Sequence, residues 1–220
     1  MGWASLASKG ALGGIIVMWD KIATNLVEYL GEYLVSCSFI NVDDGFGWGF
    51  AGVYGPNIDS ERSFLWDEIA GLCSQWDGLW CIGGGFNITW FPSERLDDSH
   101  ISSAMADFLA QIFYLDLVDL PLARGDFTWL NGRAWSRLDR FILSSSWEEH
   151  FPDLCQKRLP RLCSDHFPIV LDCGVFMRGG DTLNLDSTDI KDHIVHFYNK
   201  LLMEQYLCRL KVEGLVYLID

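Results

Sequence analysis

The sequence predicts a layered α/β sandwich, and three observations carry that reading. Apolar runs of strand length recur along most of the chain. Some are joined by a short Asp-Gly turn and others by stretches with helical spacing. Half of the 220 residues are hydrophobic, enough to bury a proper core in one domain with a tail. Connections of both kinds argue against a simple parallel wound sheet.

Residues 15–19, 34–40 and 50–54 read as strands, with Asp43-Asp44-Gly45 as the turn between the last two. Asp59 or Ser60 caps a helix whose apolar positions Leu65, Ile69 and Leu72 recur at helical spacing, and Gly78 ends the connection to a strand at 79–82. Ser102 or Ser103 opens a second helix with Met105, Leu109, Ile112 and Leu115 on one face, followed by a short strand at 117–120. Strands at 137–143 and 168–173 complete the set. Arg178-Gly179-Gly180-Asp181 marks a boundary, after which Asp189 caps a helix with Ile190, Ile194, Phe197 and Leu201 on one face. No internal repeat is visible.

The formal charge of −14 argues against generic affinity for nucleic acid, because counterion release needs clustered Lys and Arg. The charge is uneven. Residues 1–123 carry a net −12, whereas residues 124–161 carry a net +2, so a polyanion would approach through Arg124, Arg133, Arg137, Arg140, Lys157, Arg158 and Arg161. The seven Cys include no pair at two-residue spacing, which indicates neither a zinc site nor a disulfide framework and fits a reducing, intracellular compartment. The apolar stretch 15–19 is far too short to span a bilayer, so no membrane association is expected. Ten Trp and fourteen Phe exceed the needs of a minimal core, which places some rings at a cleft or on the surface.

Three strand ends bear polar groups suited to chemistry. Ser164-Asp165-His166 sets an acid beside an imidazole just before the apolar run 167–171, and an Asp next to a His fixes its tautomer and raises its basicity. Ser136-Arg137-Leu138-Asp139-Arg140-Phe141 places another acid in a strand-like segment, and Trp80-Cys81-Ile82-Gly83-Gly84-Gly85-Phe86-Asn87 ends a third at an amide. Phosphodiester hydrolysis needs an activated water, positive charge on the phosphate oxygens and help for the leaving oxygen, which such groups supply. Each alone has a plainer reading: His166 as a solvated loop residue, Asp139 in a surface ion pair with Arg137 and Arg140, Glu94 and Arg95 as a surface pair, Trp129 as a half-buried core ring. His193 and His196, at i and i+3, lack a third ligand.

Five motifs in order resemble the endonuclease/exonuclease/phosphatase family: Val53-Tyr54-Gly55-Pro56, Gly83-Gly84-Gly85-Phe86-Asn87, Phe127-Thr128-Trp129, Ser136-Arg137-Leu138-Asp139 and Ser164-Asp165-His166. Within it the chain is most similar to the apurinic-type endonuclease domain of plant non-LTR (LINE-type) retrotransposons, whose idioms recur as Phe91-Pro92-Ser93-Glu94-Arg95 and Trp147-Glu148-Glu149-His150-Phe151-Pro152. The resemblance covers residues 1–178 and implies a two-sheet, four-layer α/β/β/α sandwich of the DNase I-like type. Residues 179–188 are then a linker, and 189–220 a helical tail similar to the segment before a reverse transcriptase.

The same resemblance implies a Mg²⁺-dependent DNA endonuclease that nicks one strand, working in the nucleus. It assigns His166 to the phosphate or the water, Asp139 to orienting His166, Tyr54 and Asn87 to the scissile phosphate, and Asp165 to the metal environment. It places Thr128 and Trp129 in a loop near the DNA, and Arg137 with them in substrate binding. Two departures bear on activity. The family's Gly-Asp-Phe-Asn is Gly84-Gly85-Phe86-Asn87 here, and neither the family's Asn strand nor its Glu strand precedes Gly13-Gly14-Ile15, so a truncated, internally deleted and feeble copy is expected. The alternatives are a non-catalytic remnant and, on the same fold, a small-molecule phosphatase.

Overall fold

Side chains that alternate along adjacent strands divide the interior into two cores, one on each face of a central sheet. The computed structural model describes residues 2–8, 13–19, 23–42, 44–76, 78–96, 100–161, 164–174 and 216–219, with backbone alone for 23–28 and 216–219. In chain order the strands are β1 (Gly2–Leu6), β2 (Ile15–Trp19), β3 (Ala23–Leu30), β4 (Leu34–Asn41), β5 (Gly47–Tyr54), β6 (Leu79–Gly85), β7 (Leu117–Asp119), β8 (Leu122–Ala123), β9 (Trp129–Asn131), β10 (Ala134–Ser136), β11 (Asp139–Ser144), β12 (Cys155–Arg158), β13 (Ile169–Asp172) and β14 (Val216–Ile219). The helices are α1 (Arg62–Gln75), α2 (Ser103–Tyr114) and the single turn α3 (Trp147–His150).

The central sheet runs β3-β4-β5-β6-β11-β7, and β5 and β6, joined through α1, are its parallel pair. Ala51, Val53, Trp80, Ile82 and Ile142 point to one face, where Leu65, Trp66, Ile69 and Leu72 of α1 and Ala104, Phe108 and Ile112 of α2 cover them. Phe50, Cys81, Phe141 and Leu143, one residue out of phase, point to the other face. There they meet β1 and β2 through Ala4, Ile15 and Val17, and β13 through Ile169 and Leu171. β13 belongs to a second sheet, β14-β13-β12-β8, and β9 and β10 form a separate hairpin. The buried Gln156 joins the sheets, accepting from Phe141 N at 2.6 Å and donating to Leu120 O at 2.8 Å. The described residues thus supply three layers of the expected sandwich: helices, central sheet, and the smaller sheets beneath it.

Several expectations shift in detail. In α2 the buried stripe is Ala104, Met105, Phe108 and Ile112, and Leu109 is 42% exposed. Phe108 takes the inner position because its ring stacks on Trp66 and Phe86. Ser102 is the cap, its Oγ accepting from Met105 N at 3.2 Å. At α1 neither Asp59 nor Ser60 caps; Asp59–Glu61 is a 3-10 turn, and the Asp59 carboxylate pairs with Arg62. One strand, β1, precedes Gly13 and pairs antiparallel with β2 from Gly2↔Trp19 to Leu6↔Ile15; neither strand contains Asn or Glu. Of the expected helical tail, only 216–219 is described. It is a strand parallel to β13, as the sequence Val-Tyr-Leu-Ile favours, so this part of the tail is corrected from helix to strand. The 178–181 boundary and the helix from Asp189 lie outside the described residues. No described helix is long and apolar enough to cross a membrane.

Candidate active site

Three strand ends bring the site together. Tyr54 of β5 pairs with Gly85 of β6, and Gly85 pairs with Asp139 of β11, so the three residues form one row across the sheet. A β-carbon built at Gly85 would stand 3.3 Å from Asp139 Oδ1 and 4.0 Å from Tyr54 Cδ2. The row therefore faces a common space. Beyond it the chains interlock: Gly55 N donates to Gly85 O at 2.7 Å, and Phe86 N to Leu138 O at 2.9 Å.

Asn87 follows with φ at 54°, a left-handed conformation that Asn tolerates through its short polar side chain. Its Nδ2 donates to Gly55 O at 2.7 Å, and its carbonyl accepts from Arg62 Nη2 at 2.9 Å. The amide thus fastens the Asn87 turn to the strand end bearing Tyr54, whose ring is partly exposed.

His166 reaches this row from the segment that leads into β13 of the second sheet. Its Nδ1 lies 2.7 Å from Oδ2 of Asp139, which is only 6% exposed. A carboxylate accepts, so Nδ1 carries the proton and Nε2 is the acceptor nitrogen of the neutral ring. The loop is fixed on both sides: His166 N donates to Ser164 Oγ at 3.0 Å, and Phe167 N to Thr128 O at 2.6 Å.

Thr128 is the joint between the two halves. Fully buried, it accepts at Oγ1 from both Leu138 N and Asp139 N at 2.9 Å, donates its own N–H to Ser136 O, and takes Phe167 N at its carbonyl. Its place is thus behind the site and not on a substrate, which corrects the expectation of direct binding. Thr128→Val, nearly isosteric, leaves two buried N–H groups without their acceptor. Urea denaturation is expected to show a loss of about 1–3 kcal/mol for each stranded donor. An unchanged midpoint would mean that the hydroxyl is dispensable.

Arg137 is also corrected. It is buried, donating to Glu94 Oε1 at 3.1 Å and to Asp119 Oδ1 and Leu120 O at 2.7 Å. Beside it the fully buried Arg140 donates to Asp119 Oδ2 at 2.6 Å and Glu94 Oε2 at 2.9 Å. Glu94 therefore is no surface partner of Arg95, and Asp139 pairs with His166, not with the flanking arginines. Burial pushes the Glu94 carboxyl up, but Arg140, the Trp90 N–H and Arg137 outweigh it and hold it below its usual value. For Asp119 burial outweighs the same arginines, and its carboxyl is raised. Sequence reasoning missed this cluster, although Arg140 sits at a strand position in phase with the inward Ile142.

Asp165 is exposed, and its Oδ2 accepts from the Trp129 indole N–H at 2.9 Å. Trp129 is partly exposed and bridges to His166 through the backbone. Its hairpin ends in Gly132 and the exposed Arg133, with exposed Arg124 and Arg161 on neighbouring segments. Arg158 is held over the rings of Phe127 and Phe167. The Mg²⁺ that the resemblance implies does not find its donor set: Gly85 offers no side-chain oxygen, Asp139 is hydrogen-bonded to His166, and Asp165 to Trp129. Among the described residues no group of three His, Cys, Asp or Glu could hold a metal ion.

This architecture is a DNase I-like α/β sandwich, the fold of a solved endonuclease domain on which it superposes. The endonuclease domain of TRAS1, a telomere-specific non-LTR retrotransposon, superposes with a TM-score of 0.58 at 15% identity, covering 76% of this chain and 78% of that one. The AP endonuclease LMAP from Leishmania major gives 0.49 at 14% identity, over 62% of this chain and 53% of that one. A mannosyl-6-phosphatase of Bacteroides thetaiotaomicron gives 0.47 at 16% identity, over 76% and 75%. No protein family matches the sequence, and none of the curated proteins does.

Proposed function

We propose that this chain is a DNA endonuclease of retrotransposon descent that nicks one strand by phosphodiester hydrolysis, with an attenuated chemical step. The observation that carries the proposal is the 2.7 Å His166–Asp139 pair, formed between β11 and the segment that leads into β13, at the end of the Tyr54–Gly85–Asp139 row. With Nδ1 held by Asp139, Nε2 of His166 takes the proton of a water as its oxygen attacks phosphorus and the bridging P–O bond breaks. Tyr54 borders the phosphate, Asn87 keeps the Tyr54 strand end in place, and Trp129 offers a ring against a base. DNA, met in the nucleus, approaches along Arg124, Arg133 and Arg161, the exposed part of the basic stretch.

Attenuation follows from Gly85. Without a side chain there, no carboxylate positions the water beside Asp139, a loss that typically slows such chemistry about 10²–10⁴-fold. Supercoiled plasmid incubated with Mg²⁺ tests the reading: slow conversion to the nicked circle is expected, and none with His166→Ala. Nicking that survives in the His166 variant would refute it.

Gly85 and the incomplete cation donor set also favour a second reading, a non-catalytic remnant with weak binding at most. It predicts no nicking and no Mg²⁺ heat in calorimetric titration, so a well-defined binding isotherm would count against it. A phosphatase acting on small ligands shares the fold, and a panel of phosphorylated substrates would separate it from both.

A further inference from the structure

Directly behind Asp139, on the helix side of the sheet, lies the four-charge cluster of Glu94, Asp119, Arg137 and Arg140. It ties the loop after Asn87, which lies outside the sheet, to the neighbouring strands β7 and β11. From the loop after Asn87 come Glu94 itself, the Trp90 and Phe91 N–H groups that its Oε2 accepts at 2.6 and 3.4 Å, and the Ile88 carbonyl at 3.5 Å from Arg140 Nη2. From the end of β7 come Asp119 and the Leu120 carbonyl. From the entrance of β11 come Arg137 and Arg140, joined to each other by Arg140 Nη2 donating to Arg137 O at 2.7 Å, while Arg137 N donates to Glu94 O at 2.8 Å.

Such a cluster is a costly way to fill a core. Four charges must be stripped of water, and Nε of both Arg137 and Arg140 is buried without a hydrogen-bond partner among the described residues. Apolar residues of similar volume generally serve stability as well or better. What charges add is direction: the forked guanidinium of Arg140 grips Glu94 on one side and Asp119 on the other, at fixed angles.

We infer that Glu94 and Asp119, through Arg137 and Arg140, are positioning residues that set the Asn87 turn against the Asp139 strand end and so fix the distance between the two. The inference rests on the reading of Asn87 and Asp139 as parts of one site. Neither acid touches the reacting atoms.

Amide hydrogen exchange on the full chain, followed by two-dimensional NMR, tests it. In Glu94→Gln, which keeps shape but loses the charge and one acceptor, exchange at Trp90 and Phe91 is expected to rise at least about tenfold, with amides of β4 such as Phe39 unchanged. The Asn87 side-chain NH₂ resonances should shift in the same variant. Asp119→Asn, which touches no residue of that loop directly, should reproduce the Trp90 and Phe91 effect through Arg140. A pair that removes opposite charges together, Glu94→Leu with Arg140→Met, keeps the test open if a single change unfolds the protein. It should recover the parent's melting temperature and still exchange fast at the loop. Uniform acceleration across β4, or unchanged protection at Trp90 and Phe91, would overturn the inference by showing a structural cluster only. Plasmid nicking is not the readout, so failure of the proposed activity and failure of this inference are separate results.

Discussion

Gly85→Asp is expected to raise plasmid nicking about 10²–10⁴-fold over the parent, the usual worth of a positioned base. The two neighbouring glycines differ in what they allow. Gly84 has φ at 142°, and a β-carbon there would collide with the Val53 carbonyl oxygen, so the backbone requires glycine. Gly85 has no such conformation. Its β-carbon would meet only Asp139 Oδ1 at 3.3 Å and Tyr54 Cδ2 at 4.0 Å, a fit that a shift of a few tenths of an ångström accommodates. The new carboxylate would share its space with Asp139, and two neighbouring negative charges raise the pKa of at least one of them. A lower melting temperature should therefore accompany the gain, and high salt should soften it. Initial rates of supercoiled-plasmid conversion, with circular dichroism to verify folding, measure both. A folded variant that nicks no faster than the parent would place the cause of weak activity elsewhere.

The largest loss of stability is expected from Arg140→Met. It removes the fully buried one of the two cations that bond both Glu94 and Asp119, leaving two buried carboxylates with only Arg137 between them, and breaking a buried pair costs about 3–5 kcal/mol. Urea titration should show the drop near neutral pH. Acid reverses part of it. In the parent, the lowered Glu94 contributes stability above its unfolded value that is lost as pH falls through the folded value. Asp119, which is raised, acts with the opposite sign, its contribution fading as pH rises through its folded value. Without Arg140 burial dominates at both carboxyls, both lie above the unfolded value, and protonating them relieves the strain. The gap between parent and variant should narrow as pH is lowered, and a gap that widens would contradict this account of the cluster.

The strands of the central sheet were legible because alternation is a local property. Phe50 and Ala51, or Phe141 and Leu143 around Ile142, announce two buried faces without reference to their neighbours. The hidden elements depend on partners far along the chain. β12 reads Cys-Gln-Lys-Arg, which looks solvated, and it becomes a strand because Gln156 finds Phe141 N and Leu120 O inside. β9 and β10 are three residues each and hold only through their pairing.

The site divides in the same way. His166 and Asp139 could be named from motif order, and their contact across 27 residues followed. The inward turn of Arg137, Arg140 and Glu94 could not, since charged side chains read as surface until the acids that neutralise them are placed beside them. For Thr128 the resemblance gives only a loop near the DNA, and the geometry shows its hydroxyl spent on two backbone N–H groups.

The most direct measurement is long-range ¹⁵N–¹H NMR of the His166 imidazole, in the parent and in Asp139→Asn, with and without a short DNA duplex. The account predicts a proton on Nδ1 in the neutral ring, loss of that preference in Asp139→Asn, and a shift at Nε2 together with Tyr54 and Asn87 when DNA is added. A ring protonated on Nε2, indifferent to Asp139 and silent toward DNA while other surfaces respond, would contradict it.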